Sequence, residues 1–308
     1  MVTDNYTTKT AALKATSIDA RFMSSKSIDA DKIKIKGKDI TEMMGLNLPE
    51  DYAKLVTRCE LPEDEFWTIM DDNGNVLYLN EAVLTNGNGL FAGTLTNKSF
   101  DIDMRNLTDG TKMFQQCYSL ESFKSDLKSL IVGELMFHGC NKLTKVETNL
   151  PLLTNGIWMF ASTNLTSFDS DLSSLTDGTN MFWYCRELES FNSDLSSLTN
   201  GLNMFECCYK LTSFNSDLSS LTDGLEMFTC CKLDADSVEK ILTTIPTHTD
   251  GQIHELDICV LDADAVSKFN EITGNTNDIP EINRPCESGL IVNYKGWTLS
   301  VGIGTYEN

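Results

Sequence analysis

The chain has 308 residues, with 24 Lys plus Arg against 45 Asp plus Glu, and a formal charge of −21. That balance excludes a phosphate-backbone binder, which needs a basic face to displace counterions, and argues against docking on an anionic membrane. No run reaches the ~18 apolar residues of a membrane span, and a 22% charged fraction is ordinary for a chain that folds.

Residues 1–45 differ from the rest. They hold seven Lys and Arg21 against six acidic residues, so this segment is +2 and the remainder −23. Met1-Val2-Thr3-Asp4-Asn5-Tyr6 has neither the basic nor the apolar region of a secretion signal. The ten cysteines are therefore expected as reduced thiols. Ser-Ile-Asp-Ala occurs at 17–20 and 27–30, and the apolar positions Ile18, Ile28, Ile33, Ile35 and Ile40 read as a short β-like arm. Such an arm needs a partner to bury one face. The segment resembles the N-terminal attachment segments of phage fibre proteins. That resemblance implies docking on capsid or tail proteins, or homo-oligomerisation, with a trimer by analogy.

Residues 46–89 read as a linker and N-terminal cap. Asn73-Gly74 between Phe66–Met70 and Val76–Leu79 predicts a hairpin. A hairpin here would cover the open edge of whatever follows.

Residues 90–233 are seven copies of one unit. Met-Phe recurs at 113–114, 136–137, 159–160, 181–182, 204–205 and 227–228, at intervals of 23, 23, 22, 23 and 23, and Leu90-Phe91 holds the same phase. Cysteine follows the Phe by three residues at 117, 140, 185, 208 and 231, with Thr94 and Thr163 in the other two copies. Leucine, Phe, Leu and Leu columns follow, and a Gly closes each unit. A 23-residue unit cannot bury its own apolar side chains, so stacking in register is required. The alternating Leu-x-Ser-Phe-x-Ser segment predicts a short strand in a parallel sheet. The Thr-Asp-Gly or Thr-Asn-Gly corner predicts a turn, with its Gly free to take positive φ. Single-residue deletions before Leu165 and Leu233 should be absorbed in a turn.

The order Phe-x-x-Cys-x-x-Leu-x-x-apolar on this period resembles the BspA-type leucine-rich repeat, a family of bacterial surface proteins with phage and protist relatives. The resemblance implies a β-rich right-handed solenoid with a parallel sheet on one face, used for binding and not for catalysis.

Residues 234–308 change period. Leu233-Asp-Ala-Asp-Ser-Val and Leu261-Asp-Ala-Asp-Ala-Val predict two helices, capped by Asp234 or Asp236 and by Asp262 or Asp264, with Gly274 stopping the second. Leu256–Cys259 predicts a strand between them. Gly289–Val301 predicts a final hairpin containing Lys-Gly-Trp-Thr. Together they form an α/β C-terminal cap.

The in-phase cysteines read as a buried ladder, since Cys is small and often fully buried. Cys207 and Cys230 sit one residue ahead of that column in adjacent units, within disulfide reach of each other. Asp126, Asp171, Asp194 and Asp217 form one column, and Asp109, Asp177 and Asp223 another. Oxygen ladders can bind Ca²⁺, but Asp in turns more simply accepts from its own backbone. His138, His248 and His254 fall in no metal or nucleophile motif, and no catalytic fingerprint is present. The expectation is therefore no enzyme, no cofactor and no metal site. Trp158, Trp183, Tyr184 and Tyr209 occupy positions where the repeat demands no aromatic, which makes them the candidate ligand-binding residues. The combined expectation is a virion fibre or decoration protein that binds host-surface glycan or protein through its repeats. A bacterial cell-surface adhesin and an intracellular interaction scaffold are the alternatives. Neither nucleic-acid binding nor membrane insertion is expected.

Overall fold

The computed structural model describes residues 83–282 and 289–304, together with 75–79 and the strands Ile18–Asp19, Lys34–Ile35, Lys38–Asp39 and Thr68–Asp71. Ile28, Ile33 and Ile40 lie outside the described residues. Ile18 lies in β1 (Ile18–Asp19) and Ile35 in β2 (Lys34–Ile35), which pairs antiparallel with β3 (Lys38–Asp39). β1 pairs antiparallel with β4 (Thr68–Asp71), and β4 with β5 (Val76–Leu79), across the Asn73-Gly74 signal. Asn97 of the first repeat holds this hairpin. Its Oδ1 accepts from the Val76 N–H at 2.6 Å and its Nδ2 donates to the Val76 carbonyl at 2.9 Å. Val76 and Leu79 are buried in the same core as the repeats, so the first edge is covered.

The Leu-x-Ser-Phe-x-Ser segments form parallel strands of two or three residues. β6 (Ser99–Asp101), β7 (Ser122–Lys124) and β8 (Lys145–Glu147) make one open sheet. β9 (Ser167–Phe168), β10 (Ser190–Phe191) and β11 (Ser213–Phe214) make a second. Every pair is in register one unit apart. The ladder is interrupted between β8 and β9, where the unit lacks a residue before Leu165 and Val146 replaces the column Phe. The turn absorbs the deletion, with Asn164 N–H donating to the Leu143 carbonyl at 3.0 Å.

A longer ladder runs through the Met-Phe turns. The N–H groups of Gly110, Lys112, Phe114 and Gln116 donate to the carbonyls of Val132, Glu134, Met136 and His138 at 2.8–2.9 Å. The intervening N–H groups of Met113, Gln115 and Cys117 donate three residues back, so each backbone donor of the turn is used. This alternation requires left-handed backbone at two positions per unit. One precedes the Met (Lys112, Leu135, Trp158, Asn180, Asn203, Glu226; φ 55–57°), and the other lies two after the Phe (Gln116, Ser162, Tyr184, Cys207, Cys230; φ 57–67°). Each such non-glycine residue costs about 1 kcal/mol, which the inter-rung bonds offset.

The corner glycines serve a different purpose from the one expected. Positive φ occurs at Gly89, Gly93 and Gly139 in these turns, not at the corner column. A Cβ at Gly110, Gly133, Gly156, Gly178 or Gly201 would lie 2.7–3.0 Å from the Met sulfur of the next unit. The corner Gly is therefore a seat for the next methionine.

The core is a set of columns. The Met-Phe rings from Phe114 to Phe228 stack at 5.3–5.6 Å with planes within 14°. The strand phenylalanines meet them edge-on at 4.7–5.8 Å. Buried serines stitch adjacent rungs, with Ser125 Oγ accepting from Met104 N–H and Ser216 Oγ donating to the Ser193 carbonyl.

At the C-terminal end the last Met-Phe turn keeps its left-handed positions at Glu226 and Cys230 but pairs irregularly as β12 (Gly224–Leu233). Helix α1 (Ala235–Thr244) follows, then β13 (His254–Val260) parallel to β12, and helix α2 (Ala263–Thr273). β16 (Trp297–Gly304) lies parallel to β13, flanked by β14 (Glu281–Ile282) and the hairpin strand β15 (Leu290–Tyr294). The N-caps are Asp234 and Asp262, and Gly274 ends α2 at φ 71°. Asp236 is not a cap, because Asp234 Oδ1 takes both the N–H and the hydroxyl of Ser237, at 2.9 and 2.6 Å. Among the described residues no helix is long and apolar enough to cross a membrane.

Candidate functional site

The repeat places Trp158, Trp183, Tyr184 and Tyr209 on one continuous strip over the Met-Phe turns. All four are half-buried. Trp158 and Tyr184 occupy the two left-handed columns, so their side chains leave from the turn itself. The rings are in contact in sequence: Trp158 edge-on to Trp183 at 5.4 Å, Trp183 stacked on Tyr184 at 5.0 Å, and Tyr184 edge-on to Tyr209 at 6.5 Å. His138 extends the strip, edge-on to Trp158 at 5.8 Å, with its buried Nδ1 unpartnered and its pKa lowered by burial.

Charged residues that sequence reasoning missed complete this face. The Arg186 guanidinium lies 4.0 Å from the Tyr184 ring centre and 5.5 Å from that of Tyr209. The Trp183 indole N–H donates to Glu206 Oε2 at 3.0 Å. Burial, and then the Glu226 carboxylate, push the Glu206 carboxyl above its ordinary range against that indole donor. Arg186 and Glu206 sit at variable repeat positions, where a charged residue carries no signal until the rungs are stacked.

The cysteine column is a buried ladder. Each thiol of Cys117, Cys140, Cys185, Cys208 and Cys231 donates to the Phe carbonyl of the preceding unit at 3.1–3.3 Å. Thr163, standing in for Cys, donates to Phe160 instead. Burial pushes the Cys185 thiol up to about 11, and Cys208 and Cys231 likewise rise. Buried neutral thiols of this kind are inert. Cys207 and Cys230 are neighbours, and Cys259 joins them to form a small buried cluster under Tyr184 and Tyr209. No disulfide forms among the described residues.

The aspartate columns are turn caps. Asp126, Asp171, Asp194 and Asp217 each accept from the N–H two residues on, at 2.8–3.2 Å. Asp109, Asp177 and Asp223 do the same, and so do Asn86, Asn155 and Asn200 in the same column. An amide replaces the carboxylate freely there, so the column asks for an acceptor oxygen and not for charge.

The third assembly lies in the C-terminal cap. The loop between α1 and β13 brings His248, Asp250 and His254 together, with one ligand atom from each lying within 4.8 Å of the others. His254 Nδ1 is 2.8 Å from the Thr222 carbonyl, and its Nε2 is 3.2 Å from both Asp250 oxygens. The Thr222 carbonyl, followed by Asp250, raises the His254 pKa. The Gln252 N–H and then His254 hold the Asp250 carboxyl low. The spacing His-x-Asp-x-x-x-His was visible in the sequence, but only the fold back of this loop brings its ends together.

Against known families, residues 108–234 and 176–249 match the BspA type leucine rich repeat region, in six copies. The solenoid is a BspA-type leucine-rich repeat. Repeats of this family are binding or structural modules, and the resemblance drawn from the 23-residue unit holds. No curated protein and no solved structure matches the chain.

Proposed function

We propose that this BspA-type repeat protein is a non-enzymatic surface-recognition protein whose ligand, a host-surface glycan or protein, lies along the strip Trp158–Trp183–Tyr184–Tyr209. The observation that carries the reading is the continuity of that strip. The four other units carry a single Trp or Tyr in these columns, Tyr118, whereas here four aromatic rings in mutual contact stay half-exposed, with a guanidinium and a carboxylate beside them. Rigid aromatic platforms with flanking hydrogen-bonding charges suit sugar faces and protein hot spots alike.

The acidic body follows an arm of opposite charge, +2 before −23. This supports an attachment role for residues 1–45, with the body facing outward as a phage fibre or decoration protein. Capsid or tail protein is the partner of the arm in this reading, and a trimer is the assembly by analogy. Two experiments test the two halves. Screening the full chain against host-surface glycans and proteins should give a ligand whose affinity falls roughly 10–100-fold on Trp158→Ala; undiminished binding removes the strip from the site. Deleting residues 1–45 should abolish incorporation into particles, and retained incorporation ends the attachment reading.

A further inference from the structure

We infer that His248, Asp250 and His254 form a divalent transition-metal site of the Zn²⁺ class, which clamps the loop between α1 and β13 to the C-terminal sheet. His254 Nδ1–H donates to the Thr222 carbonyl, which in the neutral imidazole leaves the Nε2 lone pair free for a ligand. That Nε2 faces two Asp250 oxygens at 3.2 Å, a contact that either an imidazolium proton or a shared cation can bridge. His248 Nε2 is also buried, without a hydrogen-bond partner. His248 thus brings a third lone pair within 4.8 Å of this pair, which an imidazolium–carboxylate ion pair leaves unserved and a shared cation would satisfy. A backbone carbonyl holding the distal imidazole nitrogen is the support that metal-binding histidines use.

Distances fit the same ion. Ligands about 2.0–2.1 Å from a tetrahedral Zn²⁺ lie about 3.3 Å from one another, close to the His254–Asp250 separation. His248 stacks on His254 with ring centres 3.5 Å apart and planes 11° apart. It must therefore turn out of that stack to aim its lone pair at the shared point. Two imidazoles and one carboxylate form a borderline donor set that selects Zn²⁺, Co²⁺ or Ni²⁺ over Ca²⁺ or Mg²⁺. Asp250 is exposed, which leaves a solvent position for the fourth ligand.

The surroundings hold the triad in place. Trp297 is buried, packs edge-on against His248 at 4.9 Å, and donates its indole N–H to the Pro246 carbonyl at 2.9 Å. Gly296, at φ 83°, lets the chain pass where a Cβ would lie 2.2 Å from the His248 carbonyl. Lys295 Nζ caps the end of α1 through the carbonyls of Leu242, Thr243 and Ile245. The Lys-Gly-Trp sequence of the final hairpin is thereby accounted for as the frame of this loop.

The test uses the untagged full chain, stripped with chelator and titrated with Co²⁺ and then Zn²⁺ alone. The expected result is one equivalent bound, a Co²⁺ spectrum without the thiolate charge-transfer band that the buried cysteines would give, and a rise in melting temperature with Zn²⁺. His248→Gln and Asp250→Asn should each weaken binding roughly tenfold or more and remove the thermal shift. Asp250 is exposed, so its variant folds whatever His248→Gln does. Failure to bind one equivalent, a thiolate band, or affinity unchanged in Asp250→Asn would each overturn the site. None of these outcomes bears on ligand binding at the aromatic strip, which lies in other units.

Discussion

At the residue scale, the corner glycine distinguishes two physical reasons for one conserved-looking column. A left-handed requirement would make Gly178→Ala costly in any background. A seat for the next methionine makes the cost depend on Met204, whose sulfur lies 2.9 Å from the position of a Cβ at Gly178. Gly178→Ala should destabilise by about 1–3 kcal/mol through overpacking, read as a lower urea midpoint. In a Met204→Ala background the same change should cost little. A full additive cost in that double-mutant cycle would rule out the methionine seat. Glu206 gives a second residue-scale expectation. Its folded pKa is raised above 4.5, so its ionisation opposes folding, and the wild type loses stability as pH climbs from 4.5 through the raised value. Glu206→Gln keeps an acceptor for the Trp183 indole and removes the desolvated charge. The variant should be the more stable protein at pH 7 by up to about 1 kcal/mol, with the difference shrinking to nothing below pH 4; thermal melts at the two pH values check the sign.

At the scale of elements, helix α1 stands in for an eighth rung. The Ser237 hydroxyl accepts from the Phe214 N–H at 2.8 Å and lies 3.1 Å from the Thr212 carbonyl, so it serves the open edge of β11 as the next strand would. Ser237→Ala should leave the buried Phe214 N–H without a partner and cost about 1–3 kcal/mol. Asp262→Ala, which removes only the cap of α2, should cost about 1 kcal/mol. Faster hydrogen exchange at Phe214 in the first variant alone identifies the edge; equal losses in both would reduce Ser237 to an ordinary cap residue. This substitution of a helix for a rung was legible in part. Leu233-Asp-Ala-Asp-Ser-Val announced a capped helix, and the hairpin around Asn73-Gly74 announced the other end. The Met-Phe ladder was not legible, because Lys112, Leu135 and Trp158 carry no left-handed signature; the inter-rung hydrogen bonds impose that backbone on whatever residue arrives. The candidate site divides in the same way. Its four aromatics stood out against the repeat, whereas Arg186, Glu206 and the loop histidines acquire meaning only from contacts 23 residues or more away, or from a loop that folds back.

At the scale of the whole molecule, stability should behave as a sum over rungs. Each unit contacts its neighbours through the same columns, and the two ends are sealed by Asn97 with the hairpin and by Ser237 with α1. A nearest-neighbour stack tolerates loss of an interior unit if phase is kept and both seals survive. Deleting residues 111–133 joins Gly110 to Glu134 in phase and leaves the aromatic strip intact. Deleting residues 179–201 joins Gly178 to Leu202 in phase but removes Trp183 and Tyr184. Both shortened chains should unfold cooperatively, with a smaller denaturant slope in proportion to the surface lost. They should then part in function, since only the first retains whatever ligand the full chain binds. Truncation after Leu233, which keeps all seven Met-Phe units but strips the Ser237 seal, should instead aggregate from its exposed β11 and β12 edges. A truncated chain that remains soluble and fully folded would show that the repeat closes itself without the C-terminal cap.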